Sequence, residues 1–100
     1  MTALLGPCSE RLCTVYIDGA LIVPVYPDLL TRVRALLRGG SRSILLDLSS
    51  APFIDAGGVG ELVRAYNIAS AMGVSLRIAH ATDRVRELLE RVGLFDLLSA

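Results

Sequence analysis

Asp55-Ala56-Gly57-Gly58-Val59-Gly60 is a glycine-rich stretch between a strand pattern and a helix pattern. The apolar run from Ser43 to Ser49 before it is typical of a short strand buried on both faces. After it, apolar residues recur at helical spacing, and Asp55 is a residue type that caps helix N-termini. A strand followed by such a turn brings free backbone N–H groups and the positive end of a helix dipole to one surface point. The sequence therefore predicts the functional site at this turn.

The composition excludes several classes of protein. The chain has 100 residues, 53% of them hydrophobic, which predicts one globular domain over residues 1–100. Ten basic residues balance ten acidic ones, so neither nucleic acid nor an anionic membrane is favoured as a partner. No apolar run approaches the roughly 18 residues of a membrane span, and the N-terminus lacks the pattern of a signal peptide. We therefore expect a cytoplasmic protein with no direct membrane insertion.

The reactive side chains do not form a catalytic or metal-binding pattern. Cys8 and Cys13 have a C-x4-C spacing that fits neither a zinc knuckle nor a redox pair, so we expect two reduced thiols. His80 is the only histidine, and no Ser-His-Asp or Cys-His set is placed around it. No P-loop is present, and the chain has no lysine. We expect no enzyme activity, no catalytic residue, no metal and no cofactor.

Strand and helix patterns alternate along the chain. Strands are predicted over residues 11–18, 43–49 and 74–79, with a further edge strand over 3–6 and a short continuation over 20–23 that Pro24 and Pro27 stop. Helices are predicted from Pro27 to Gly39-Gly40, from about Val59 to Met72, and from Thr82 or Asp83 to Gly93. The tail over 94–98 fits either a strand or one helical turn. This order predicts an α/β fold with a mostly parallel sheet.

Several short motifs resemble those of a known family when they are taken together. They are Asp47-Leu48-Ser49, Phe53-Ile54-Asp55, Gly58-Val59-Gly60, the run from Asp83 to Leu89, and Gly93-Leu94. Their order and spacing over about residues 11–98 resemble a STAS domain, and more narrowly the bacterial anti-sigma factor antagonists. The resemblance implies a STAS-like α/β fold, with a small mixed, mostly parallel sheet of about four to five strands and helices mainly on one face.

The resemblance also implies a partner and a switch. Unphosphorylated antagonists bind an anti-sigma factor, often a serine-kinase-like protein, and phosphorylation at the start of helix two abolishes that binding. Here Ala56 and Gly57 follow Asp55, with Gly57 at the expected phosphoacceptor position, and neither residue can accept a phosphoryl group. The nearest other hydroxyls, on Ser49, Ser50 and Thr82, are either strand-end and capping groups or a replacement for the missing phosphoacceptor, and the first interpretation explains them adequately.

The candidate partner-binding residues surround the turn. Glu61 and Arg64 are included because we expect them on the exposed side of helix two. The full set is Asp55, Ala56, Gly57, Gly58, Val59, Glu61 and Arg64. Asp55 is either a cap alone or also a contact, and the glycines either permit a sharp turn or form an anion nest.

Two other regions have alternative interpretations. Gly19-Ala20-Leu21-Ile22 is apolar where the family tends to have acidic residues, so it is either a surface for a protein partner or packed under the N-terminus. The charged residues of helix three are read as its solvated face; they are Arg84, Arg86, Glu87, Glu90 and Arg91.

The leading hypothesis is a regulatory protein-binding module that acts without phosphorylation at the usual site. A small-ligand or nucleotide sensor is an alternative, as is a STAS subunit of a transporter or a signalling assembly. A homodimer is left open.

Overall fold

Four strands in the described part of the chain form one mixed sheet. The computed structural model describes residues 2–9, 11–22 and 28–100, with Asp28 described without its side chain. The strands are β1 (Thr2–Ser9), β2 (Leu12–Asp18), β3 (Ser43–Ser50) and β4 (Ser75–Ala79), and they lie in the order β1-β2-β3-β4. β1 pairs antiparallel with β2, whereas the β2–β3 and β3–β4 pairs are parallel. The predicted fold class, including the edge strand, is confirmed.

The helices connect the parallel strands. They are α1 (Asp28–Arg38), α2 (Ala56–Ala71), α3 (Asp83–Arg91) and the short α4 (Phe95–Leu98), after which Ser99 forms a bridge with Ile78 of β4. α2 begins at Ala56 and not at the predicted Val59, so the glycines form its first turn. The predicted roles of Pro24 and Pro27, and of Val23 in the strand continuation, lie outside the described residues.

The sheet has one covered face. Along β3, Ile44, Leu46 and Leu48 are buried, whereas Leu45 and Asp47 on the other face are half-buried. The prediction of a strand buried on both faces is therefore wrong, because the core, to which α1, α2 and α3 contribute buried side chains, lies on one side of the sheet only. Within the described ranges, no helix is long and apolar enough to cross a membrane.

The two cysteines are joined. Cys8 of β1 lies opposite Cys13 of β2, their Cα atoms are 4.1 Å apart, and their sulfur atoms form a disulfide. The expectation of two reduced thiols is wrong, because the antiparallel register places the cysteines on neighbouring strands facing each other. The hydroxyl group of Ser41 also donates a hydrogen bond to Cys13 Sγ, at 3.5 Å.

Candidate functional site

The first turn of α2 is capped by Asp55, as predicted. The Gly58 N–H donates to Asp55 Oδ1 at 2.7 Å, and the Val59 N–H donates to the Asp55 carbonyl at 2.9 Å. Ala56 and Gly57 occupy the first two helical positions, where backbone N–H groups have no intrahelical partner. The carboxylate therefore already places a negative charge at the positive end of the helix dipole.

Gly58 lies where the backbone of another segment comes closest to α2. A Cβ atom at this position would lie 2.8 Å from Ile54 Cγ1 and would overlap the carbonyl oxygen of Leu21. Gly58 is also buried. It was predicted to bind the partner, but in the structure it packs against other parts of the chain. This glycine is required for the close approach of the two backbones, which agrees with the first of the two interpretations that the sequence allowed for the glycines.

The segment after β2 is held against the loop that leads into α2. The Leu21 N–H donates to the Phe53 carbonyl at 3.0 Å, and the Asp55 N–H donates to the Leu21 carbonyl at 3.3 Å. Leu21 is fully buried, whereas Ile22 is exposed beside it. The apolar stretch after β2 thus contributes one side chain to the core and one to the surface.

Glu61 and Arg64 differ in exposure. Their side chains are 14% and 61% exposed, and Arg64 Nη1 lies 3.8 Å from Glu61 Oε1. The expectation of an exposed Glu61 is wrong, because this residue flanks the buried stripe of α2 between Gly58 and Ala65. Glu61 Oε2 is buried and has no hydrogen-bond partner among the described residues, so this oxygen is an unsatisfied acceptor.

Phe53 and Arg84, which were not among the predicted site residues, lie beside the turn. The Phe53 side chain is 39% exposed, and the Arg84 Cζ atom lies 5.3 Å from the centroid of its ring. The Thr82 hydroxyl donates to the Ala51 carbonyl at 3.1 Å, which ties the start of α3 to the loop that carries Phe53. Sequence reasoning assigned Arg84 to a solvated helix face because nothing local links it to residue 53.

The described residues include no group of three or more His, Cys, Asp or Glu side chains arranged to hold a metal ion. The exposed hydroxyl of Ser49 donates a hydrogen bond to Asp47 Oδ1 at 2.6 Å, and the hydroxyl of Thr82 donates one to the Ala51 carbonyl. Two surface clefts have volumes of about 280 and 250 Å³, one beside α4 and one between Phe53 and α3.

The fold is that of a STAS domain. Its second helix begins, with a capping residue, at the C-terminal edge of the sheet. The family model for the STAS domain matches residues 6–99, and the chain belongs to this family. It is 27% identical over 90 residues to the anti-sigma-B factor antagonist of Staphylococcus aureus strain NCTC 8325, a match that covers 90% of this chain and 83% of that protein.

Solved structures show the same fold at lower sequence identity. The anti-sigma factor antagonist SpoIIAA in its unphosphorylated form superposes with a TM-score of 0.79 at 16% identity, covering 95% of this chain and 84% of that one. A sulfate transporter family protein from Wolinella succinogenes superposes with a TM-score of 0.75 at 21% identity, covering 94% and 76%. These likenesses show that the chain has the fold of a STAS domain.

Proposed function

We propose that this protein binds an anti-sigma factor through the first turn of α2 and that phosphorylation at the usual site does not switch the binding. The observation that carries this proposal is Gly57 in the first turn of α2, next to the capping Asp55. The match to an anti-sigma-B factor antagonist over 90% of the chain supports the class of partner.

The charge at the turn explains why the missing hydroxyl matters. A phosphoryl group would add about −1.5 to −2 charges to a turn whose helix dipole Asp55 already complements. A partner docked over the turn would have to accommodate that charge. Because neither Ala56 nor Gly57 has a hydroxyl group, the turn stays in one charge state, which we assign to partner binding.

A protein partner fits this site better than a small anionic ligand. The Asp55 carboxylate accepts a hydrogen bond from the first turn and would repel a phosphate placed there. Two clefts among the described residues, of about 280 and 250 Å³, lie just below the lower end of the roughly 300–1,000 Å³ typical of small-molecule pockets. We therefore propose that residues 1–100 act as one binding domain without catalysis. We place it in the cytoplasm, where sigma factors act, although disulfides such as Cys8–Cys13 are rare in that compartment.

The test is to place a permanent charge at Gly57. Gly57→Asp should weaken binding of the anti-sigma factor at least about tenfold, a change that corresponds to roughly 1.4 kcal/mol. Asn67→Asp is the matched control, since it adds the same charge to an exposed position further along α2. Calorimetry with each purified anti-sigma factor of the source bacterium would measure both variants.

Two results would contradict the proposal. The first is equal affinity of the wild type and the Gly57→Asp variant, which would exclude docking on this turn. The second is that the wild type binds none of the anti-sigma factors. Specific thermal stabilisation by a nucleotide would then favour a ligand sensor.

A further inference from the structure

The arginines of α3 have different partners. Arg86 Nε lies 2.6 Å from Glu90 Oε1, and Arg91 Nη2 lies 3.1 Å from Glu87 Oε1. Arg84 makes no ion pair with any residue that the structure describes, and its ring contact is with Phe53. It is thus an exposed cation without an ion-pair partner among the described residues, close to the turn that we propose as the docking site.

The ring beneath Arg84 is fixed and accessible. Phe53 precedes Asp55 by two residues, and its carbonyl accepts the Leu21 N–H, so the backbone that carries the ring is held in place. Together with α3, Phe53 and Ile54 line the groove of about 250 Å³. Contact with the ring restricts the Arg84 side chain before any partner arrives, which reduces the entropy that binding would cost.

We propose that Arg84 and Phe53 form a second contact for the same partner, which presents a carboxylate side chain next to an apolar one. This inference rests on the proposed function. An unpaired guanidinium is well suited to a carboxylate, and the exposed part of the Phe53 ring provides apolar contact area beside it. The groove of about 250 Å³ lies just below the usual volume of a small-molecule pocket, and a protein partner can cover the groove and the turn together.

The two contacts carry opposite charges. Asp55 places a carboxylate at the turn, whereas Glu61 is paired with Arg64, and Arg84 places a guanidinium group at the neighbouring position. A partner with a donor facing the turn and a carboxylate facing Arg84 would bind in one orientation only, since reversal would place like charges together. The pair of contacts therefore selects the partner as well as adding affinity.

The experiment compares two arginine–phenylalanine pairs on the same helix. Arg86 Cζ lies 4.8 Å from the Phe95 ring centroid, so Arg86→Gln is the matched control for Arg84→Gln. Calorimetry with the anti-sigma factor that binds the wild type should show about tenfold weaker binding for Arg84→Gln and less than about twofold for Arg86→Gln. Arg84→Lys should recover part of the affinity, and Arg84→Gln should reduce the dependence of binding on salt.

The apolar half of the contact is tested separately. Phe53→Ala should weaken binding by a similar factor, with Leu97→Ala as a control because Leu97 is also exposed but lies on α4. Thermal melts of every variant would show whether it is folded at the temperature of measurement.

The outcomes distinguish this inference from the proposed function. If Arg84→Gln binds like the wild type while Gly57→Asp does not bind, the inference about Arg84 and Phe53 is wrong. The proposal that the partner docks on the first turn of α2 is then still supported. If Arg84→Gln and Arg86→Gln lose affinity equally, the effect is one of net charge and the inference is again wrong. If the wild type binds no anti-sigma factor, both proposals fail.

Discussion

The carbonyl oxygen of Leu21 lies against the Cα atom of Gly58, so the segment after β2 and the first turn of α2 meet backbone to backbone. The same carbonyl accepts the Asp55 N–H, and Asp55 in turn caps the helix. The position of the candidate docking turn therefore depends on one close contact that leaves no room for a side chain.

Gly58→Ala should destabilise the protein by about 1–3 kcal/mol, because the added methyl group would displace the Leu21 backbone. Gly60→Ala is the matched control in the same helix, since a Cβ atom there meets nothing within 4 Å. Alanine at position 60 should raise the free energy of unfolding by up to about 1 kcal/mol. Urea denaturation would measure both, and a neutral Gly58→Ala would contradict the close contact.

Variants of Asp55 would distinguish the effect of its capping hydrogen bond on stability from the effect of its charge on partner binding. Asp55→Ala should lower the free energy of unfolding by about 1 kcal/mol, because the Gly58 N–H would lose its acceptor. Asp55→Asn keeps an acceptor oxygen and should be about as stable as the wild type. If Asp55→Asn still weakens partner binding in calorimetry, the carboxylate is a contact; if binding is unchanged, Asp55 serves as a cap alone.

Glu61→Leu should stabilise the free protein by about 1 kcal/mol, since it removes a buried carboxylate oxygen that has no hydrogen-bond donor among the described residues. Arg64→Met is the control, because an exposed ion-pair member contributes within about 0.5 kcal/mol. A loss of stability in Glu61→Leu, measured by urea denaturation, would show that the carboxylate is satisfied in solution.

Gly57→Ser should create a phosphoacceptor at the position where the family has one. If the anti-sigma factor that binds the wild type has serine-kinase activity, incubation with it and ATP should add one phosphoryl group to the variant and none to the wild type, as measured by intact-protein mass spectrometry. Ala56→Ser places a hydroxyl one residue earlier and is the control. Phosphorylation of the wild type would show that another Ser or Thr replaces the missing group.

Reduction of the Cys8–Cys13 disulfide should lower the free energy of unfolding by about 2 kcal/mol, the value expected for a short closed loop. Urea denaturation with and without dithiothreitol would measure the difference. Cys8→Ser in both conditions is the control, because its stability should not depend on the reductant. Equal stability of the wild type in both conditions would contradict a stabilising role for the bond.

The sequence by itself determined the order of the elements and the chemistry of the turn. Helical spacing, strand-forming runs and glycine stops predicted α1 and its end before Gly39-Gly40, because these signals lie within a few residues of one another. The absence of a hydroxyl at Ala56 and Gly57 follows from the sequence alone. The cap at Asp55 was also predictable, since a cap acts within one helical turn.

The tertiary structure decided which side chains meet across the chain. The disulfide depended on the register of β1 and β2, and the packing role of Gly58 depended on the path of the chain at Leu21. The burial of Glu61 and the contact of Arg84 with Phe53 likewise depended on how α2 and α3 pack on one face of the sheet. A local pattern carries no information on distances between residues that are far apart in sequence, and these distances determine the surface beside the glycine turn.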